Sequence, residues 1–161
     1  MKDHLLAASA VLFSLTSLSA LAADTTPEPA PAPAPARAAP AQPLAAAQAH
    51  LQAKRWSAAL EELRRVNASG SADWNNLMGY TLRKLSTPDL DGAQKHYDAA
   101  LRIDPKHQGA LEYAGELALM KRDLATAEAH LATLSRLCSS PCGPLDDLRL
   151  AVAQYKASNK P

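Results

Sequence analysis

The sequence predicts an all-α protein in which three helical hairpins stack and one further helix covers the last of them. Alanine recurs at a spacing of 34 residues, at Ala59, Ala93 and Ala127. In each copy a larger residue follows four positions later and a third residue three positions after that, so the three share one helix face. These followers are Leu63 and Val66, Tyr97 and Ala100, and Leu131 and Leu134. Apolar residues make up 47% of the chain, and many are alanine, the strongest helix former.

The first 23 residues are predicted to be a secretory signal peptide. A short polar start with one lysine precedes an apolar run over residues 5–21, and Ala20 and Ala22 give the small-x-small pattern of a cleavage site. The alternative is an uncleaved membrane anchor, which the hydroxyl residues inside the run disfavour. We expect a periplasmic or secreted mature protein without stable membrane insertion, because no other apolar run has spanning length.

Residues 24–43 are predicted to be a Pro/Ala-rich, disordered linker. Seven of these twenty residues are proline and seven are alanine. Closely spaced prolines fix φ and remove hydrogen-bond donors, so neither a helix nor a sheet can propagate. The segment therefore reads as a semi-rigid spacer, and the alternative is a ligand for a proline-binding domain.

The stretch 74–105 resembles one tetratricopeptide repeat. It carries Gly79 on a first helix, then Ala93, Tyr97 and Ala100 on a second helix, and a closing Pro105. The resemblance implies three such repeats in a right-handed superhelix, at about 44–71, 72–105 and 106–139, and the signal peptide with the Ala/Pro-rich composition suggests an exported bacterial protein of this type. A capping helix is expected at about 144–157, because the end of a repeat stack must be covered.

The first helices of the repeats are less regular than the second helices. Their small-residue position is occupied by Ala47, Gly79 and Gly115, at spacings of 32 and 36 residues. The central turn, residues 86–91, is two residues longer than the family pattern. There Thr87 is predicted to cap a helix that has Pro88 at its first position.

Seven helices are expected from these patterns. Their predicted bounds are 44–54, 57–66, 73–85, 88–103, 107–121, 124–137 and 144–156. Ser57, Asp73 and Asp123 are predicted to be helix caps.

Cys138 and Cys142 lie between the last repeat and the capping helix. An exported chain with an even number of cysteines favours a structural disulfide. The alternatives are a redox-labile thiol pair and a metal site, and the second of these lacks nearby histidine ligands. We expect no metal and no other cofactor.

Composition and motifs disfavour several function classes. The net charge of +1 does not provide the basic face of a nucleic-acid-binding protein. His50, His96, His107 and His130 have no paired-ligand spacing, and no phosphate loop or nucleophile elbow is present. The sequence therefore predicts no catalytic residues and no enzyme.

The resemblance places a partner-binding groove on the first helices of the repeats. The residues it assigns to this groove are Gln48, Asn76, Tyr80, Arg83, Glu112, Glu116 and Leu119. They form a mixed polar surface suited to an extended peptide or a helix. The two glutamates argue against the family's clamp for a C-terminal carboxylate, and the alternative is that these residues only keep the face soluble.

Two functions follow from these observations. The first is an exported interaction module, a scaffold or adaptor that binds a protein or peptide client in its groove. The alternative is an accessory factor that presents apo-proteins during thiol or c-type cytochrome maturation, with Cys138 and Cys142 exchanging disulfides with the client.

Overall fold

The computed structural model describes residues 43–139 and 141–159, which form seven α-helices and no strand. The helices are α1 (Ala45–Gln52), α2 (Trp56–Val66), α3 (Ala72–Lys84), α4 (Leu90–Ile103), α5 (Gln108–Met120), α6 (Leu124–Leu137) and α7 (Gly143–Ser158). The all-α fold class is confirmed, and every helix begins and ends within two residues of its predicted bounds. The predicted signal peptide and, apart from Pro43, the predicted linker lie outside the described residues.

The helix caps agree with the sequence prediction only at α6. There Asp123 accepts a hydrogen bond from the Thr126 amide at 3.0 Å, as expected. The caps predicted at Ser57, Asp73 and Thr87 are wrong, because α2, α3 and α4 begin after Arg55, Ser71 and Asp89. Ser71 and Asp89 each accept from the amide three residues on, which satisfies an otherwise unpaired donor of the first turn.

The turns within the hairpins explain why the central repeat differs from its neighbours. Lys54 and Arg122 close the first and third turns with φ of 55° and 62°, in the left-handed region. Pro88 stands midway between them, 34 residues from each. Proline cannot adopt positive φ, so the central hairpin cannot use the same tight turn. Its connection runs from Leu85 to Asp89 instead, and the Asp89 amide donates to the Leu82 carbonyl at 3.1 Å.

Each hairpin packs along its length, and the stack has two apolar cores. The first core lies among α1 to α5 and is centred on Leu63, Trp74 and Tyr97. The second lies among α5, α6 and α7 and is centred on Leu134 and Leu148. Leu145, Leu148 and Val152 of α7 are buried, so the last helix covers the final hairpin as expected.

The small residues of the 34-residue pattern sit at the closest helix contacts. Ala59, Ala93 and Ala127 are fully buried. A Cβ added to Gly79 would lie 2.6 Å from the Tyr97 ring, so only glycine lets α3 and α4 approach this closely. Ala100 is also fully buried, whereas Pro105 is exposed after the end of α4.

Gly115 occupies a different environment from Gly79. A Cβ at this position would lie 2.7 Å from Leu148, so its nearest neighbour is on α7. The repeat pattern aligned Gly115 with Gly79, but in the structure the small size of Gly115 lets the capping helix α7 pack closely against α5.

Polar contacts join successive repeats. The Trp74 indole Nε1 donates to the Leu63 carbonyl at 2.8 Å, which links α3 to α2. His107 Nε2 lies 2.9 Å from Asp73 Oδ1, and His107 Nδ1 accepts from the Ala110 amide that opens α5. These contacts fix the angle between neighbouring hairpins.

Gly79→Leu is expected to lower the free energy of unfolding by about 1–3 kcal/mol, because the new side chain overpacks the contact with Tyr97. Gly70→Leu is the control, since a Cβ at Gly70 meets nothing within 4 Å. Urea unfolding followed by circular dichroism measures both changes. Equal stabilities of the two variants would show that α3 and α4 do not approach as described.

The cysteine pair yields a second prediction. Cys138 ends α6, Cys142 precedes α7, and their sulfur atoms lie at disulfide-bonding distance. Because the closed loop is short, C138S/C142S is expected to lower the free energy of unfolding by only about 2 kcal/mol. Thermal unfolding of oxidised protein and of the double variant tests this, and a variant that fails to fold would contradict it.

Candidate functional site

Two adjoining surface depressions are lined by the first helices of the hairpins and by α7. The first has a volume of about 470 Å³ and is lined by Gln48, Leu51, Gln52, Leu77, Tyr80 and Tyr113. The second has a volume of about 440 Å³ and is lined by Arg83, Glu116, Leu119, Met120, Ala151, Gln154, Tyr155, Ser158 and Asn159. The two depressions together are called the groove below.

Aromatic rings form the wall of the first depression. The Tyr80 ring lies 4.7 Å from the Tyr113 ring and meets the Trp56 ring edge-on at 6.0 Å, measured between centroids. Tyr113 also contacts the buried Tyr97 ring at 6.4 Å. The close approach at Gly79 thus positions Tyr97, and Tyr97 supports the tyrosine that lines the groove. Such rings offer a large contact area at a small cost in conformational entropy.

Arg83 joins the two depressions. Its guanidinium carbon lies 5.7 Å from the Tyr80 ring centroid and 5.5 Å from that of Tyr113, within the range of cation–π attraction. The residue is only 6% exposed. The surrounding rings therefore hold a positive charge at the floor of the groove.

Arg83 is ion-paired, but its hydrogen-bonding capacity is only partly used. Its Nη2 lies 2.6 Å from Glu116 Oε2, close enough for an ion pair. The N–H is not directed at that oxygen, since neither Nε nor Nη2 makes a hydrogen bond to any described residue. A buried donor without an acceptor is costly, so this arrangement leaves hydrogen-bonding capacity unused.

Glu112 lies beside this pair and is buried to 7% exposure. Burial, followed by the negative charges of Glu116 and Asp147, raises its pKa to about 7, although Arg83 opposes the shift. Burial and the charge of Glu112 likewise raise the pKa of Tyr113 to about 12. Near neutral pH the centre of the groove therefore holds the Arg83–Glu116 pair and, beside it, the Glu112 carboxyl group, whose pKa of about 7 lets it titrate there.

Of the seven residues that the sequence analysis assigned to the groove, the structure places five in its lining and two outside it. Five of them line it: Gln48 and Tyr80 in the first depression, and Arg83, Glu116 and Leu119 in the second. Asn76 and Glu112 line neither depression and are each 7% exposed. The Asn76 amide nitrogen would lie 3.1 Å from a Cβ at Gly109, so the start of α5 covers it.

Sequence reasoning missed several residues that line the groove. Tyr113 lies three residues before Glu116 and hence on the same helix face, so helical spacing could have identified it. Tyr155 of α7 is half-buried and reaches the second depression. Gln154 and Ala151 lie beside it on the capping helix, which the repeat pattern does not cover.

The cysteine pair lies away from the second depression. Cys142 Sγ is 3.9 Å from Gln108, the first residue of α5, whereas Leu119 and Met120 at the other end of α5 line the depression. Twelve residues of helix, about 18 Å, separate these ends. Within the described ranges, no cluster of His, Cys, Asp and Glu side chains could hold a metal ion, and no helix is long and apolar enough to cross a membrane.

Glu112 gives a pH-dependent prediction. Its pKa is raised from 4.5 to about 7 in the folded protein, so the native state binds more protons than the unfolded state in that window. Its contribution to the free energy of unfolding is therefore lost as pH rises from about 4.5 to 7. Relative to Glu112→Gln, the protein should lose on the order of 1–3 kcal/mol between pH 4.5 and 8.

Urea unfolding of both proteins at several pH values measures this difference, and the comparison cancels the titration of other groups. Glu116→Gln is unsuitable as a control because it also removes the partner of Arg83. The exposed Glu61→Gln is suitable. Parallel pH profiles for the protein and Glu112→Gln would contradict the prediction.

This chain is similar to known proteins in its fold. Neither a protein-family model nor a curated protein matches the chain. Among solved structures, the chain is similar to the type III secretion chaperone SycD of Yersinia enterocolitica, crystallised in complex with a peptide of the translocator YopD. The TM-score is 0.59 at 18% identity, and the match covers 73% of this chain and 88% of that chain. The stack of hairpins is thus a tetratricopeptide-like helical repeat fold.

Proposed function

We propose that this protein is an exported interaction module that holds a peptide segment of a client protein in the groove. The observation that carries the proposal is the groove itself, in which two tyrosine rings and a buried arginine lie side by side. Tyrosine and arginine are the residues that most often dominate the energy of protein interfaces. The proposal assigns the protein no catalytic step.

The shape and chemistry of the groove favour a peptide over a small molecule. Each depression is open to solvent, and four helices contribute to the two linings. Glutamine amides beside aromatic and aliphatic side chains can bond to a peptide main chain while apolar side chains of the client pack on the rings. An extended segment or a single helix could contact both depressions at once.

The similar chaperone supports the same interpretation. SycD was crystallised with a peptide of the translocator YopD, so a helical stack of this kind can hold a peptide. Export rests on the sequence of residues 1–23, which has the polar start, apolar run and small residues of a signal peptide. The client would then be another exported or envelope protein.

Selection from a random 12-residue peptide library on immobilised protein tests the proposal. Selected peptides should bind in fluorescence anisotropy, and Tyr80→Ala should weaken their binding by roughly tenfold because it removes the central ring of the groove. Glu61→Ala and Lys95→Ala are controls, since both residues are exposed on second helices outside the groove.

Each variant is checked by thermal unfolding, so that loss of binding is separated from loss of fold. Selected peptides that bind Tyr80→Ala as tightly as the unchanged protein would show that the groove is ordinary solvated surface. A library that yields no binding peptide would contradict the proposal as a whole.

A further inference from the structure

We propose that the edge of Arg83 formed by Nε and Nη2 is a binding site for a main-chain carbonyl oxygen of the client. This inference rests on the proposed function and specifies how the client is held. It assigns Arg83 the role of a hydrogen-bond donor in the groove, in addition to the ion pair that it forms with Glu116.

Arg83 is buried and has hydrogen-bond donors that are not used in the free protein. Its side chain is 5% exposed, yet Nε and Nη2 make no directed hydrogen bond to a described residue, even though Nη2 lies 2.6 Å from Glu116 Oε2. These two nitrogens lie on one edge of the planar guanidinium group, which presents parallel N–H bonds. Buried N–H groups that lack an acceptor destabilise the free protein, so a client that supplies an acceptor gains the energy of satisfying them.

The charges around Arg83 select the kind of acceptor. Glu116 already neutralises the guanidinium at 2.6 Å, and Glu112 and Asp147 add negative potential beside it. A carboxylate on the client would bring a further negative charge to a guanidinium that is already ion-paired, and the other cation near the groove, Lys84, lies over the Tyr80 ring at 5.5 Å from its centroid. A carbonyl oxygen accepts the same hydrogen bonds without this repulsion, and every residue of a peptide carries one.

Glu116 can make room for the carbonyl without leaving Arg83. Its side chain is 28% exposed and lies close to Nη2 without a directed hydrogen bond. A guanidinium group has five N–H donors, so the carboxylate can shift along the group while the client takes the edge. Nε and Nη2 are buried in the free protein, and Arg83 lines the second depression, so the partly exposed Glu116 side chain must rotate when the client binds.

The residues around the Nε–Nη2 edge of Arg83 suit the main chain of a client peptide. Leu119, Ala151 and Tyr155 offer apolar contacts in the second depression, and Gln154 adds an amide that can donate or accept. Side chains of the client on either side of the bound carbonyl can pack on these apolar groups. The first depression, on the other side of Arg83, takes the preceding or following residues.

An amide-to-ester scan tests the inference. The probe is an uncharged, fluorescein-labelled 12-residue peptide from the library selection, with both ends capped. An ester carbonyl is a weaker acceptor than an amide carbonyl, so replacing the peptide bond whose oxygen meets Arg83 should weaken binding roughly three- to tenfold. Esters at the other positions should weaken binding less.

Variants of Arg83 test the same hydrogen bond from the side of the protein. Arg83→Lys keeps the charge beside Glu116 but lacks the planar edge, so it should bind the probe roughly tenfold more weakly and should no longer respond to the sensitive ester. Arg83→Met removes the charge as well, and it should show the same loss of affinity and the same lack of response to the sensitive ester. Lys95→Gln is the control, because it removes an exposed charge on a second helix outside the groove and should change affinity by less than about twofold.

The outcomes separate this inference from the proposed function. If the probe requires Tyr80 but binds Arg83→Lys normally, the groove binds peptides and the role of Arg83 is wrong. If every ester is tolerated equally, the carbonyl assignment is wrong. Tighter binding of the same peptide with a free carboxyl end or an added aspartate would show that the edge takes a carboxylate instead.

Discussion

The close approach of α3 and α4 at Gly79 is the constraint on which the rest of the structure depends. The absence of a side chain at this position lets the Tyr97 ring lie against the α3 backbone, fully buried at the centre of the first core. Tyr97 in turn packs against Tyr113 of the next hairpin. One small residue therefore sets both the spacing within a hairpin and the placement of a ring that lines the groove.

The polar centre of the groove shows a balance between stability and function. A buried arginine is stabilised by two aromatic rings and by Glu116, but part of its hydrogen-bonding capacity is unused. Glu112 is held nearby with a raised pKa because burial and two like charges oppose its ionisation. Buried donors without an acceptor and buried carboxyl groups lower the stability of the free protein. Binding sites commonly retain them, because a bound ligand can supply the missing hydrogen bonds.

The capping helix has two roles in this arrangement. Leu148 packs against Gly115 and closes the second core, so α7 prevents the last hairpin from exposing an apolar face. The same helix contributes Ala151, Gln154 and Tyr155 to the groove. Cys138 at the end of α6 and Cys142 at the start of α7 lie at disulfide-bonding distance, which ties the two helices together. The last helix thus ends the repeat stack and extends the binding surface.

The sequence by itself determined the helices, because their apolar spacing is a local property of the chain, whereas the capping residues were predicted correctly only at α6. Helical periodicity also placed Tyr80 and Arg83 on one face of α3, and the tetratricopeptide resemblance added Glu116 of the next repeat to the same groove. Only the tertiary structure decided which of those residues stay accessible. Asn76 is covered by the start of α5, and Glu112 is buried beside Asp147 of α7, although both were assigned to the groove. Helical spacing gives the direction in which a side chain points, but its burial depends on which distant segment packs over it.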